Sequence, residues 1–255
     1  MTTLLPLTEL TMGSLWFYLL VFLRVSAAVS VMPAMGEQMI SVRIKMVVAL
    51  MMTAVVTPVV VAKFAGVEPS LSTFLQALAT ETLAGLFLGL ALRMFMLAIQ
   101  TAGAIAAQST SLAQLLGQSG LDPLPALGNI LAISALALLM VTGFHVKAIA
   151  YLVLSYEIMP AFTIPNPADV AEAGSQQVMR SFALAFTLAA PFVILSVLYN
   201  LTLGVINKAM PQLMVAFVGA PVITFGAIAF LLVSAPLMLT VWVQAMDRFL
   251  AAPFR

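Results

Sequence analysis

The sequence predicts an all-α integral membrane protein that forms a single domain over residues 1–255. Hydrophobic residues make up 63% of the chain and charged residues only 7%, whereas soluble domains contain about 45–50% and about 25%. A soluble protein of this size could not cover its surface with so few ions. The hydrophobic residues fall into about six runs, most of them interrupted by proline or a polar residue, which allows helices broken into hairpins. These runs are residues 15–31, 46–62, 71–99, 127–154, 181–206 and 213–243.

The composition also excludes several classes of function. The chain has no cysteine and one histidine, and its net charge is +1 with no run of basic residues. These features argue against thiol catalysis, Cys-based metal sites and nucleic-acid binding. The sequence also lacks GxxxxGK[ST], HExxH and GxSxG. We therefore expect no enzymatic activity, no cofactor and no metal, which leaves a channel, a transporter or an assembly subunit embedded in lipid.

The first run contains a charged residue, Arg24, and ends at Pro33. A charge at the centre of a lipid-facing helix costs about 2.5–3.5 kcal/mol on insertion scales. Arg24 is therefore expected to face protein or water. The second run has Pro58 near its end and stops at Lys63.

The third run predicts a helix with one tightly packed face. Glu81, Gly85, Gly89 and Arg93 recur at every fourth residue, and Gly103 continues the row of small residues. The two glycines of the GxxxG pattern allow a neighbouring backbone to approach closely, although the pattern is common in apolar helices. Glu81 and Arg93 would lie about 18 Å apart along the helix axis. Each therefore needs a partner elsewhere in this chain or in another chain.

Residues 100–129 are polar but carry a single charge, Asp122. A water-facing loop normally carries several ions, and a lipid-facing span carries mainly aliphatic side chains. Uncharged hydrogen-bonding residues mixed with leucine suit a segment that is enclosed by protein or lines a narrow passage. The alternative is an ordinary surface loop between two helices.

The fourth run is interrupted at Gly143-Phe144-His145. A single histidine without a nearby second ligand favours a structural role, and a proton relay is the alternative. Residues 160–180 are expected to form the longest solvated link, and it is acidic.

The last two runs contain further helix breakers. The fifth holds Pro191 and Asn200. The sixth has 31 residues, interrupted by Gly219-Ala220-Pro221, Gly226 and Pro236. This length favours a bent helix or a short helical hairpin over one straight span.

The order of these motifs resembles the FliR family of bacterial flagellar export-gate proteins over nearly the whole chain. The motifs that carry the resemblance are Phe22-Leu23-Arg24 with Pro33, Val42-Arg43 with Pro58, Glu81 with Gly85 and Gly89, Gln100-Thr101-Ala102-Gly103 with Gln108, Asp122-Pro123, Gly143-Phe144-His145, Ser155-Tyr156-Glu157-Ile158-Met159-Pro160, Lys208-Ala209-Met210-Pro211-Gln212-Leu213-Met214 and Val218-Gly219-Ala220-Pro221.

This resemblance implies a subunit of the export gate in the bacterial inner membrane, within the flagellar basal body. Members assemble with FliP-type and FliQ-type subunits into a helical core, with an FlhB-type subunit associated. That core is the conduit through which unfolded flagellar substrates leave the cytoplasm.

The resemblance also implies roles for particular residues. The family's central loop, which plugs the closed pore, falls on residues 106–128 of this chain. The candidate plug residues are Gln108, Ser109, Leu112, Leu115, Gly117, Gly120 and Asp122. The candidate residues for helix packing or contacts between subunits are Arg24, Glu81, Gly85, Gly89, Arg93 and Gly103. For Glu81 we expect the partner to lie on another subunit.

Two alternatives remain open at this point. One is the equivalent subunit of a type III secretion injectisome. The other is a self-contained six-span transporter with Glu81, Arg93 or His145 on the transport path. A transporter should work without partner proteins, whereas a gate subunit should not.

Overall fold

A computed structural model describes residues 5–64, 66–110, 126–210 and 215–254, and all the regular secondary structure within these ranges is helical. The all-α prediction is therefore confirmed. A short 3-10 helix, Val61–Phe64, follows the second α-helix. The α-helices are α1 Leu5–Val31, α2 Val42–Val60, α3 Leu71–Thr110, α4 Ala126–Val141, α5 Phe144–Ile158, α6 Pro167–Ala209 and α7 Val215–Ala251.

The helices account for the six hydrophobic runs. Within the described residues, four helical segments are long and apolar enough to cross a membrane. A fifth candidate is a bent pair made by α4 and α5, and the apolar part of α1, Leu15–Val31, is shorter. The four long segments are Val42–Phe64, Leu71–Ser109, Pro167–Ala209 and Phe225–Ala251. The structure thus has the composition and helix lengths of a membrane-embedded protein.

The bend between α4 and α5 is centred on Gly143. The two helices, Gly128–Val141 and Phe144–Ile158, meet at an angle of 76°. Gly143 adopts the left-handed conformation, with φ 74° and ψ 34°, which glycine reaches without the steric cost that a Cβ imposes. Its N–H donates to the Met140 carbonyl, and its own carbonyl accepts from Val146. One residue therefore ends the first helix and starts the next.

The expected solvated link over residues 160–180 is wrong in extent, because α6 already begins at Pro167. Asn166 caps this helix: its side-chain Oδ1 accepts from the Ala168 N–H, and its carbonyl accepts from Val170. Proline at the first helical position is well tolerated, since that N–H has no partner inside the helix. Asp169 lies in the first turn, where a negative charge complements the helix dipole. The acidic composition therefore marks a helix N-terminus.

Two further expectations change in detail. Residues 100–110 of the central polar stretch belong to α3, and α4 begins at Ala126. Residues 111–125 lie outside the described residues. Residues 215–243 of the sixth run belong to one continuous helix, α7, so the hairpin alternative is wrong for these residues. Proline within a membrane helix is tolerated where neighbouring groups satisfy the freed backbone.

The chain divides into two compact units. The first comprises Met1–Met94, Leu139–Gln177 and Arg248–Arg255, and its core includes an ionic group on α1, α3 and α5. The second comprises Phe95–Leu138 and Val178–Asp247. Its core contains Trp242 and Phe192, both fully buried. The Phe192 ring makes a T-shaped contact with Phe230, with ring centroids 4.9 Å apart.

Candidate functional site: a buried ionic cluster and the end of α3

Arg24 and Glu81 form an ion pair inside the first unit. The Arg24 Nε donates to Glu81 Oε2 over 2.8 Å, and the two side chains are 1% and 0% exposed. Two buried charges are stable in an apolar interior only when their geometry is good and their remaining hydrogen-bonding capacity is satisfied.

The surrounding groups satisfy the remaining hydrogen-bonding capacity of both side chains. Arg24 Nη1 donates to Ser155 Oγ over 3.2 Å and to the Met159 carbonyl over 2.9 Å. Its guanidinium carbon lies 3.8 Å from the centroid of the Tyr156 ring, a cation–π contact. The second carboxylate oxygen, Glu81 Oε1, accepts from the Phe162 N–H over 3.0 Å. We call these six residues the Arg24–Glu81 cluster.

The glycines of α3 explain how the two charged residues come together. A Cβ on Gly85 would overlap the carbonyl oxygen of Arg24, and a Cβ on Gly89 would lie 2.6 Å from the carbonyl oxygen of Ala28. The GxxxG face of α3 thus packs closely on the backbone of α1, with the Ala27 and Val31 side chains beside the two glycines. This close approach places Glu81, one turn before Gly85, beside the Arg24 side chain.

The cluster joins distant parts of the chain. It connects α1 and α3 to α5 and to the residues that follow α5, since Met159 and Phe162 contribute backbone groups. Gln76 adds a further bond, donating from Nε2 to the Phe162 carbonyl over 3.1 Å. Every charge in the cluster is paired within it, which indicates a structural role in fixing the helices.

The structure places the partner of Glu81 in the same chain, where the sequence led us to expect it on another subunit. The expectation that Arg24 faces protein agrees with its burial among α1, α3 and α5. Each charge is therefore the counter-ion that the other requires. The sequence had indicated that Glu81 needs a partner and that Arg24 faces protein or water, but it did not show that the two pair with each other.

Arg93 also has a partner within the chain. Its Nη1 donates to Glu37 Oε1 over 2.7 Å, and the two side chains are 25% and 18% exposed. His145 is exposed at the start of α5. The three residues considered for a transport path therefore do not form one site: Glu81 and Arg93 belong to separate ion pairs. Within the part of the chain that the structure describes, no group of three His, Cys, Asp or Glu side chains could hold a metal ion.

Two candidate plug residues lie in the last turn of α3, within the second unit. Gln108 is exposed, and the Ser109 hydroxyl donates to the Ala106 carbonyl over 2.8 Å. The Ser109 carbonyl accepts a hydrogen bond from the hydroxyl of Ser196 on α6. The other candidate plug residues lie outside the described residues; these are Leu112, Leu115, Gly117, Gly120 and Asp122.

Gly103 lies against a partner that the sequence did not identify. A Cβ on Gly103 would overlap the Cα of Gly128 in the first turns of α4.

The sequence also gave no sign that Glu37 or Ser196 takes part in tertiary contacts. Ser155 did fall within one of the motifs that carry the family resemblance.

Comparison with known proteins identifies the family. A family model described as "Bacterial export proteins, family 1" matches residues 15–249. The chain is 35% identical over 233 residues to the flagellar biosynthetic protein FliR of Caulobacter vibrioides, covering 90% of this chain and 91% of that protein. It is 28% identical over 219 residues to FliR of Escherichia coli K12, covering 85% and 83% of the two chains. The chain belongs to the FliR family of flagellar export proteins.

Proposed function

We propose that this protein is a structural and gating subunit of the flagellar type III protein export apparatus in the bacterial inner membrane. As one integral membrane domain within the flagellar basal body, it forms part of the conduit for unfolded flagellar substrates. It acts without catalysis and without a cofactor. Family membership supports this proposal. The Arg24–Glu81 cluster also supports it, because its charges pair with each other and hold helices together.

The observation that carries the proposal is the length of the uncovered apolar face of α6. Exposed large hydrophobic residues extend along this helix from Val178 to Ile206, a distance of about 42 Å at the rise of an α-helix. The hydrocarbon core of a bilayer is about 30 Å thick, and an average tilt of about 20° shortens the projected length by only a few Å. Lipid therefore cannot cover the whole length of this face. Partner proteins would cover the part that extends beyond the hydrocarbon core.

The proposed partners are FliP-type and FliQ-type export-gate subunits, with an FlhB-type subunit associated. The family resemblance suggests these partners. The uncovered face of α6 is the surface that we assign to them. Phe182, Phe186 and Leu201 are among its most exposed large side chains.

We further propose that residues 106–128, which begin in the last turn of α3, plug the closed conduit. Its candidate residues are Gln108, Ser109, Leu112, Leu115, Gly117, Gly120 and Asp122. Leucines and uncharged polar groups would seal the pore without binding a passing chain tightly, and glycines would allow the stretch to swing aside. Its composition, with hydrogen-bonding side chains and a single charge, supports this assignment.

The first test is to purify the tagged chain from its native membrane in mild detergent and identify the associated proteins by mass spectrometry. FliP-type and FliQ-type flagellar subunits are expected. Injectisome counterparts would instead assign the chain to a secretion injectisome. A lone, monodisperse protein would overturn the proposal and favour a self-contained transporter.

A second test addresses the plug. Deleting residues 109–120 should make cells permeable to ions or small molecules once the gate is assembled. The matched control is the same deletion in cells that lack the FliP-type subunit, where no conduit forms and permeability should stay at background. Unchanged permeability in the assembled gate would refute the plug.

A further inference from the structure

The last turn of α3 is held by a side chain from another helix. The carbonyls of the last four residues of any α-helix have no partner inside that helix. One of these in α3 is the carbonyl of Ser109, since the helix ends at Thr110. Ser196 on α6 donates its hydroxyl to this carbonyl. The contact spans 87 positions of the chain, so it is a tertiary cap on the end of α3.

A second polar residue supports the cap. Asn200 lies one turn after Ser196 on α6, and its Nδ2 donates to Ser196 Oγ over 3.2 Å. The Ser196 hydroxyl thus accepts from Asn200 while it donates to Ser109. Ser196 itself is buried, only 5% exposed, whereas Asn200 is exposed. A hydroxyl buried among apolar side chains is stable only when hydrogen-bonded, and this one is bonded in both directions.

The start of α4 packs against α3. Gly103 lies about two turns before the end of α3 and touches Gly128 backbone to backbone. The two helix ends that flank residues 111–125 are therefore both held. The Ser196 hydroxyl holds the end of α3, and the glycine contact holds the start of α4. The glycine contact depends on shape alone, whereas the Ser196 cap depends on one hydrogen bond that a single substitution removes.

We infer that Ser196 and Asn200 are positioning residues that anchor the C-terminal end of α3, and with it the point at which the proposed plug begins. The inference has two parts: the anchoring of α3 and its effect on the conduit. The second part rests on the proposed function. The first part, the anchoring of α3, can be tested whether or not the stretch is a plug.

The natural absence of cysteine allows a direct measurement. Ala106 is fully buried one turn before the end of α3, so Ala106→Cys should react slowly with a maleimide in the purified, assembled gate. Adding Ser196→Ala should raise the labelling rate roughly fivefold, the factor expected from losing one hydrogen bond. Asn200→Ala should raise it to a smaller extent, because Ser196 keeps its bond to Ser109.

Thr202→Ala is the matched control. Thr202 lies on the same helix, but its hydroxyl donates locally to the Leu198 carbonyl over 2.8 Å. This variant should label at the parent rate. Equal rates in the Ser196→Ala and Thr202→Ala proteins would overturn the anchor. Assembly yield is compared in each variant, so that faster labelling is scored only in intact gates.

Permeability separates this inference from the proposed function. Ser196→Ala should raise the permeability of assembled gates towards that of the 109–120 deletion. If the deletion leaks and Ser196→Ala labels faster without leaking, the anchor does not control the conduit and that part is refuted. If the deletion itself does not leak, the plug fails, and the labelling rates alone decide whether Ser196 anchors α3.

Discussion

Arg24 and Glu81 are 57 positions apart in sequence and 2.8 Å apart in space, and neither side chain reaches solvent. Each is the counter-ion of the other, and the contact fixes α1 against α3. Removing one member of such a buried pair leaves an uncompensated charge, which costs far more than the pair itself contributes.

We therefore expect Glu81→Ala to destabilise the chain by about 3–5 kcal/mol, because the Arg24 guanidinium is left buried and unpaired. The measurement is the thermal or denaturant-induced unfolding of the purified protein in detergent. Replacing both partners, as Arg24→Met with Glu81→Leu, should recover most of this loss. The control is Arg93→Ala, which breaks the partly exposed pair with Glu37 and should cost about 1 kcal/mol or less. Similar losses in both single variants would contradict the distinction.

Gly85→Ala should impair folding, since the new Cβ would overlap the Arg24 carbonyl oxygen and push α3 away from α1. The matched control is Gly226→Ala in α7, where a Cβ would meet no atom within 4 Å. In that helix alanine should be neutral or stabilising by up to about 1 kcal/mol. Membrane levels and melting temperature of the two variants measure the difference. Equal melting temperatures would show that the helices have room to separate.

The two tryptophans of the chain allow a paired comparison. Trp242 is fully buried, and its Nε1 donates to the Phe95 carbonyl over 2.7 Å. Trp242→Phe should cost about 1–3 kcal/mol through the lost bond and the smaller ring. The Trp16 Nε1 is buried without a hydrogen-bond partner in the described part of the chain, so Trp16→Phe should cost less. Unfolding followed by the fluorescence of the remaining tryptophan compares the two, and a larger cost at Trp16 would contradict the assignment.

His145→Ala should leave flagellar assembly and motility unchanged. The side chain is exposed at the start of α5, and substitutions at such positions usually alter stability by about 0.5 kcal/mol or less. Motility in soft agar and the amount of exported flagellar protein measure the result. A strong loss of export with normal protein levels would restore the proton-relay alternative.

The sequence predicted which residues need partners more successfully than it predicted the partners. The cost of a charge in an apolar run indicated that Arg24 faces protein or water, and the four-residue spacing of Gly85 and Gly89 indicated a packed helix face. Neither signal identifies the helix that packs against α1 or against α3, because periodicity describes one helix at a time. The pairing of α1 with α3 depends on tertiary packing, which a single sequence does not encode in any local pattern.

Local signals were misread where composition and capping disagreed. The prolines and acids after residue 160 suggested a solvated link, although Asn166-Pro167 is a clear helix start. In the same way, the polar side chains after Gln100 suggested irregular backbone, whereas α3 continues to Thr110. Glutamine and alanine are good helix formers, so polarity in an apolar context did not imply a loop.

The ion pair has a consequence for the order in which the chain enters the membrane. Arg24 is synthesised 57 residues before Glu81, which at 5–20 residues per second is roughly 3–11 s. During that interval the guanidinium lacks the Glu81 carboxylate, and a charge within a lipid-facing helix is costly on insertion scales. We therefore expect α1 to become stable in the membrane only once α3 has been inserted beside it.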